Sequence, residues 1–117
     1  MREYPKHIKR LIREFGAIAY ERELREELEA LAENFDAWKS GAISSGELSE
    51  RIYLFTTGPS RELYQKYDRS VLDLCVAHAI VSGILNRNDM PPELLEHLSG
   101  AIQFYEGTDN LSKSTTS

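Results

Sequence analysis

The chain has 117 residues, of which 41% are hydrophobic and 28% charged, and its formal net charge is −5 at neutral pH. This length suits one domain around one core, and the composition is that of a globular rather than a disordered protein. The acidic balance disfavours a surface that is basic all over, as a general nucleic-acid binder would need. We therefore expect a soluble globular protein.

The cysteine content and the hydropathy pattern bear on its location. Cys75 is the single cysteine, so no disulfide can form within the chain. The first ten residues are charged, and no apolar segment of the kind found in signal peptides follows them. The longest run without a formal charge, residues 74–86, is shorter than the roughly 20 residues of a membrane span. We expect a cytoplasmic protein without membrane association.

A long first helix is predicted over about residues 5–39. Pro5 suits its first turn, and Gly41 suits the position after its end. Apolar residues recur at intervals of three and four in two successive stripes, one from Ile8 to Ile18 and one made of Leu24, Leu28, Leu31, Phe35 and Trp38. The stripes are out of phase by about one residue. We expect a kink, or a change of packing partner, between Gly16 and Glu23.

The length of this helix poses a geometric problem. A straight helix over residues 5–39 is about 52 Å long, whereas a compact chain of this size is roughly 35 Å across. The helix must therefore bend near Gly16, or else one end extends beyond the domain and is covered by another chain.

The rest of the chain also has helical periodicity only. Ser44-Ser45-Gly46-Glu47 fits a capping box that opens a second helix. A short third helix follows from Ser60, and Asp68 or Ser70 begins the next one. A fourth helix, about residues 70–87, is apolar nearly all round, as is typical of a central buried helix.

A fifth helix is predicted to begin at Pro91 and Pro92. Its inward-facing residues are expected to be Leu94, Leu95, Leu98, Ile102 and Tyr105. Residues 1–106 then form the helical domain, and residues 107–117 are expected to be a flexible polar tail. The predicted fold is an all-α single-domain bundle of about five helices.

The residue types that carry chemistry are sparse. Cys75 and His78 lie one turn apart on the fourth helix, but a zinc site needs more ligands than this pair supplies, so His78 is interpreted as a core histidine. Glu93, Glu96 and His97 occupy the first turns of the last helix, where carboxylates are favoured electrostatically. We predict no catalytic site, metal site or cofactor. A small enzyme centred on His78 or His97 stays as the second alternative function.

Charge is distributed unevenly along the chain. Residues 1–13 contain five bases and one acid, whereas residues 14–36 contain eight acids and two bases. One face of the first helix carries the four candidate residues for an anionic partner, Lys6, Lys9, Arg10 and Arg13. This face could bind nucleic acid or an acidic protein. We favour a solvated face that complements the acidic segment of a neighbouring chain, because four or five charges give only modest phosphate affinity.

The leading hypothesis is a non-enzymatic helical module for protein–protein interaction. We expect it to self-associate, with a dimer favoured, or to bind another protein. Tyrosines at the margin of a core can anchor such a partner. The candidate interface residues are Leu24, Leu28, Leu31, Phe35, Trp38, Tyr64 and Tyr67. The alternative is a nucleic-acid-binding or antitoxin-like regulator that uses the basic face.

Overall fold

The computed structural model describes the backbone of residues 3–115 and the side chains of residues 3–108. All regular secondary structure in these residues is helical, and the long first helix is present. The α-helices are α1 (Lys6–Lys39), α2 (Ser45–Thr57), α3 (Pro59–Lys66), α4 (Leu72–Ser82), α5 (Pro92–His97) and α6 (Ser99–Thr115), with short 3₁₀ turns at Arg69–Val71 and Arg87–Asp89. The prediction of an all-α domain is confirmed.

The chain divides into two compact units. The first unit combines residues up to Ala19 with those from Tyr67 onward, and the second unit is Tyr20–Lys66. Helix α1 is continuous, so its beginning belongs to the first unit and its remainder to the second.

The first unit has a dry core that α4 dominates. Between Leu72 and Ile80 this helix buries six apolar side chains, which confirms it as the central buried helix. The other elements supply the residues that surround it, among them Ile8, Ile12, Ala19, Leu85, Met90, Leu94, Leu98 and Ile102. Burial of each large apolar side chain stabilises the fold by about 1.5–3 kcal/mol.

Helix α4 ends earlier than the apolar run suggests. Gly83 adopts a left-handed conformation (φ 85°) and closes the helix after Ser82. The Leu85 amide then donates back to the Ala79 carbonyl at 3.0 Å, so the chain folds over the helix end and Leu85 is still buried. The run of apolar residues continues because both the helix and the turn after it face the core.

The last predicted helix is divided into α5 and α6 at Leu98. The Leu98 amide donates to the Leu94 carbonyl, and the Ile102 amide donates to the Leu98 carbonyl. These three side chains are buried in succession, which explains why the sequence has one uninterrupted period across the division. Helix α6 continues past Gly107 to Thr115, and the flexibility of residues 107–117 stays a prediction; the last two residues lie outside the described part.

Gly16 lies where α1 packs most closely on α4. A Cβ atom at this position would lie 2.7 Å from the Leu72 Cδ1 atom. The boundary between the units, at Ala19 and Tyr20, falls within the stretch where the two apolar stripes change phase. The phase offset therefore reflects a change of packing partner along a continuous helix.

We predict that Gly16→Val lowers the free energy of unfolding by about 1–3 kcal/mol, because the added methyl groups overpack the space that Leu72 fills. Gly107→Val is the matched control, since a Cβ at Gly107 of α6 meets nothing within 4 Å. Chemical denaturation followed by circular dichroism measures both. Equal stability of the two variants would contradict the close contact.

The 3₁₀ turn before α4 is capped by Asp68. Its Oδ1 atom accepts from the Ser70 amide at 3.0 Å and from the Ser70 hydroxyl at 3.2 Å. These two hydrogen bonds, the backbone one first, lower the pKa of Asp68 below its ordinary value of 3.8. Asp68 is thus the N-cap of the 3₁₀ turn that leads into α4.

We expect the Asp68 carboxyl to titrate below pH 3.8 in an NMR titration of the folded protein. Because the folded pKa is depressed, its contribution to stability is present above 3.8 and is lost as the pH falls through the lower folded value. Ser70→Ala removes the hydroxyl donor and should bring the pKa partly back toward 3.8. An Asp68 titration at or above 3.8 would show that the cap is not formed.

Candidate functional site

The second unit carries most of the predicted interface residues. It consists of residues 20–39 of α1 followed by α2 and α3. Ser44 caps α2 by accepting from the Glu47 amide at 3.1 Å, as the capping-box pattern predicts. The chain then turns at Gly58, whose amide donates to the Leu54 carbonyl, and Pro59 begins α3.

Polar contacts hold α1 to the other helices of this unit. The Trp38 indole nitrogen donates to the Ser45 hydroxyl at 3.0 Å, and Arg51 donates to the Asn34 side-chain oxygen. The Lys66 ammonium donates to both carboxylate oxygens of Glu23 at 3.1 Å. One flank of α1 is therefore committed to contacts inside the unit.

The predicted interface residues differ in their exposure. Leu24 and Leu31 are half-buried, whereas Leu28, Phe35 and Trp38 are exposed, with Leu28 at 46%. Tyr64 of α3 is 76% exposed. Tyr67 is the first residue of the C-terminal segment of the first unit and packs, partly buried, against its core. A role for any of these residues in binding a partner stays a prediction.

The exposed flank of α1 has a regular pattern. The six residues at spacings of four and three on this flank are all exposed, and we call them the outer seam: Glu21, Arg25, Leu28, Ala32, Phe35 and Lys39. A shallow groove of about 250 Å³ lies along it, lined by Glu21, Arg25, Leu28, Glu29 and Ala32. Arg25 forms an ion pair with Glu21 at 2.9 Å.

The spacing of apolar residues alone does not reveal this seam. That spacing places Leu28 and Phe35 in one stripe with Leu24, Leu31 and Trp38, but Leu24 and Leu31 are half-buried, and Trp38 donates a hydrogen bond to Ser45. The signal that could have found the seam is the strict alternation of four and three that continues through charged residues at both ends.

The four predicted residues for an anionic partner lie on the part of α1 in the first unit. The Lys9 Nζ atom lies 3.8 Å from Glu3 Oε2, and the Arg10 Nε atom lies 3.7 Å from Glu14 Oε1. Lys6, Arg10 and Arg13 are exposed. Acidic neighbours reduce the positive potential that attracts phosphates. Binding of an anionic partner here stays a prediction.

The two histidines proposed for an enzyme have separate surroundings. His78 is half-buried, and its ring packs edge-on against Tyr105 with centroids 5.1 Å apart. His97 is exposed, and its ring lies 6.0 Å from that of Tyr4. Cys75 is buried and forms no disulfide. Within the described residues, no three His, Cys, Asp or Glu side chains are grouped so that they could hold a metal ion.

One buried carboxylate was not anticipated. Asp73 in the first turn of α4 is only 4% exposed. Its Oδ2 atom accepts from the Tyr4 hydroxyl at 2.9 Å, and its Oδ1 atom accepts from the Leu74 amide at 3.0 Å. Tyr4 is 69 positions away in the chain, so no local pattern could reveal the pair. Since both oxygens are satisfied, the arrangement ties the N-terminal segment to α4.

We predict that Tyr4→Phe lowers the free energy of unfolding by about 1–3 kcal/mol, because the buried Asp73 carboxylate loses a donor that water does not readily replace. Tyr53→Phe is the control, since Tyr53 is exposed on α2. Thermal and urea denaturation provide the comparison. If the two variants are equally stable, the Tyr4–Asp73 hydrogen bond contributes nothing.

Comparisons with protein-family models, with curated proteins and with solved structures find no match for this chain. In the part of the chain that the structure describes, no helix combines the length and the hydropathy needed to cross a membrane.

Proposed function

We propose that this protein is a non-enzymatic helical module for protein–protein interaction, and that it self-associates through the second unit. The observation that supports the proposal is the contrast in burial between the two units. The first unit has a continuous core built from every helix it contains. In residues 20–66, all of which are described, Leu48 alone is buried.

The apolar residues of the second unit are incompletely buried. Of its fourteen large apolar side chains one is buried, seven are half-buried and six are exposed. The exposed ones are Leu28, Phe35, Trp38, Tyr53, Leu54 and Tyr64. Single exposed apolar residues are normal on any protein, but a unit that buries so few of them is typical of a surface that a partner covers. Aromatic residues among them favour this interpretation, because they dominate interface energetics.

Catalysis has weaker support. A reactive site needs a nucleophile or base, an orienting partner and a stabilising group that converge on one place. His78 and His97 contact different tyrosines, and Asp73 has both carboxylate oxygens engaged. The proposal therefore assigns the protein no reaction and no cofactor.

The proposal includes a cytoplasmic location. Cys75 is the single cysteine of the chain and lies buried in the core of the first unit. A single buried thiol is stable in a reducing compartment and gains nothing from an oxidising one. Fractionation of the expressing cells tests the location independently of the interaction.

We predict that the purified protein exceeds its monomer mass of 13.4 kDa at high micromolar concentration, and that Leu28→Gln raises the dissociation constant at least about tenfold. A dimer buries Leu28 twice, and glutamine keeps the helix propensity while losing the apolar contact. Multi-angle light scattering over a concentration series measures the effect.

Phe104→Gln is the matched control, because Phe104 is 67% exposed but belongs to the first unit. It should leave the dissociation constant unchanged, and circular dichroism should give the same helix content for both variants. A wild-type mass of 13.4 kDa at every concentration would overturn self-association.

A further inference from the structure

The two ends of the outer seam carry different charges, and this difference favours one orientation of a partner helix over the other. Its middle is apolar, with Leu28, Ala32 and Phe35. Its N-terminal end carries Glu21 and Arg25, which form an ion pair, and its C-terminal end carries only the basic Lys39. Glu21 and Lys39 have opposite charge and are separated by about 27 Å along the helix. From this pattern we infer that the outer seam pairs with the outer seam of a second copy, with the two α1 helices antiparallel. The inference rests on the proposed function and deepens it.

Electrostatics favours the antiparallel orientation. When the helices run in opposite directions, Glu21 of each copy lies opposite Lys39 of the other, and two ion pairs form. When they run in the same direction, Glu21 faces Glu21 and Lys39 faces Lys39. Like charges placed directly opposite destabilise a pair of helices, and charged flanking residues set their orientation.

Side-chain size fits the same alignment. If Glu21 lies opposite Lys39, then Leu28 lies opposite Ala32, so that a large residue meets a small one at each position. Arg25 then lies opposite Phe35, a geometry in which the guanidinium can stack on the ring. The groove beside Leu28 and Ala32 gives the partner's side chains a place to pack.

The flanks of the seam follow the same symmetry. One position after Leu28, the helix carries Glu29, which is exposed. Antiparallel pairing brings Glu29 of each copy near Glu29 of the other at the centre of the interface, where the two carboxylates repel. This repulsion weakens the pairing.

Cysteine crosslinking tests the orientation. Glu21→Cys and Lys39→Cys are purified separately and oxidised alone or after mixing, with the unsubstituted chain as the control for Cys75, which is buried. We expect a disulfide-linked dimer in the mixture and little in either variant alone, because identical positions lie about 27 Å apart in the antiparallel pair. Crosslinking of each variant with itself, at a yield similar to that of the mixture, would overturn the inference.

A second measurement uses the central repulsion. Glu29→Gln should tighten self-association several-fold, whereas Glu33→Gln, which removes the same charge from a position farther from the inferred contact, should change it little. Equal effects of the two substitutions would contradict the pairing. If light scattering finds a dimer but the mixture does not crosslink, the antiparallel pairing of the outer seams is wrong, while the proposed self-association is still supported. A monomer at all concentrations overturns both.

Discussion

The structure depends on one constraint, which is that a single continuous helix, α1, contributes to both compact units. Its 34 residues span about 51 Å. The first 14 of them, to Ala19, supply Ile8 and Ile12 to a core built around α4, and Gly16 allows α1 to approach Leu72 closely. Beyond Ala19 the helix packs with α2 and α3 through polar contacts, and these leave its other flank exposed. This exposed flank of α1 is the interaction surface that we propose.

The two units also differ in what stabilises them. The first unit relies on dry apolar packing and on the buried contact between Tyr4 and Asp73. The second unit relies on hydrogen bonds and ion pairs such as Trp38 to Ser45 and Lys66 to Glu23, which are partly or largely exposed. Exposed pairs contribute little to stability on their own. A unit of this kind gains most from a partner that covers its apolar side chains.

Periodicity explains which parts of the fold were predictable. The helices whose apolar faces meet a core, α1 and α4 above all, follow from spacing alone. The phase offset, which predicts a kink or a change of packing partner between Gly16 and Glu23, coincides with the boundary between the two units. The end of α4 was predicted too late because Gly83 closes the helix while Ile84 and Leu85 still face the core. The division of the last predicted helix into α5 and α6 cannot be seen in the sequence, because Leu94, Leu98 and Ile102 are buried at a constant spacing of four residues across it.

The site was harder to predict for a different physical reason. Whether an apolar residue on a helix is buried in its own domain or left exposed depends on tertiary contacts, and the stripe from Leu24 to Trp38 contains both half-buried and exposed residues. The orientation that we infer for the paired helices depends on the charged residues at the ends of the outer seam. A search for apolar periodicity does not find these residues. Tyr4 and Asp73 are joined only by the fold, since 69 positions separate them.

Amide hydrogen exchange at increasing protein concentration tests the central claim most directly. If a second copy covers the exposed flank of α1, the amides of residues 20–39 become more protected as concentration rises, while those of residues 6–19 are unchanged because their own core already covers them. Protection of residues 20–39 that is independent of concentration would contradict the account.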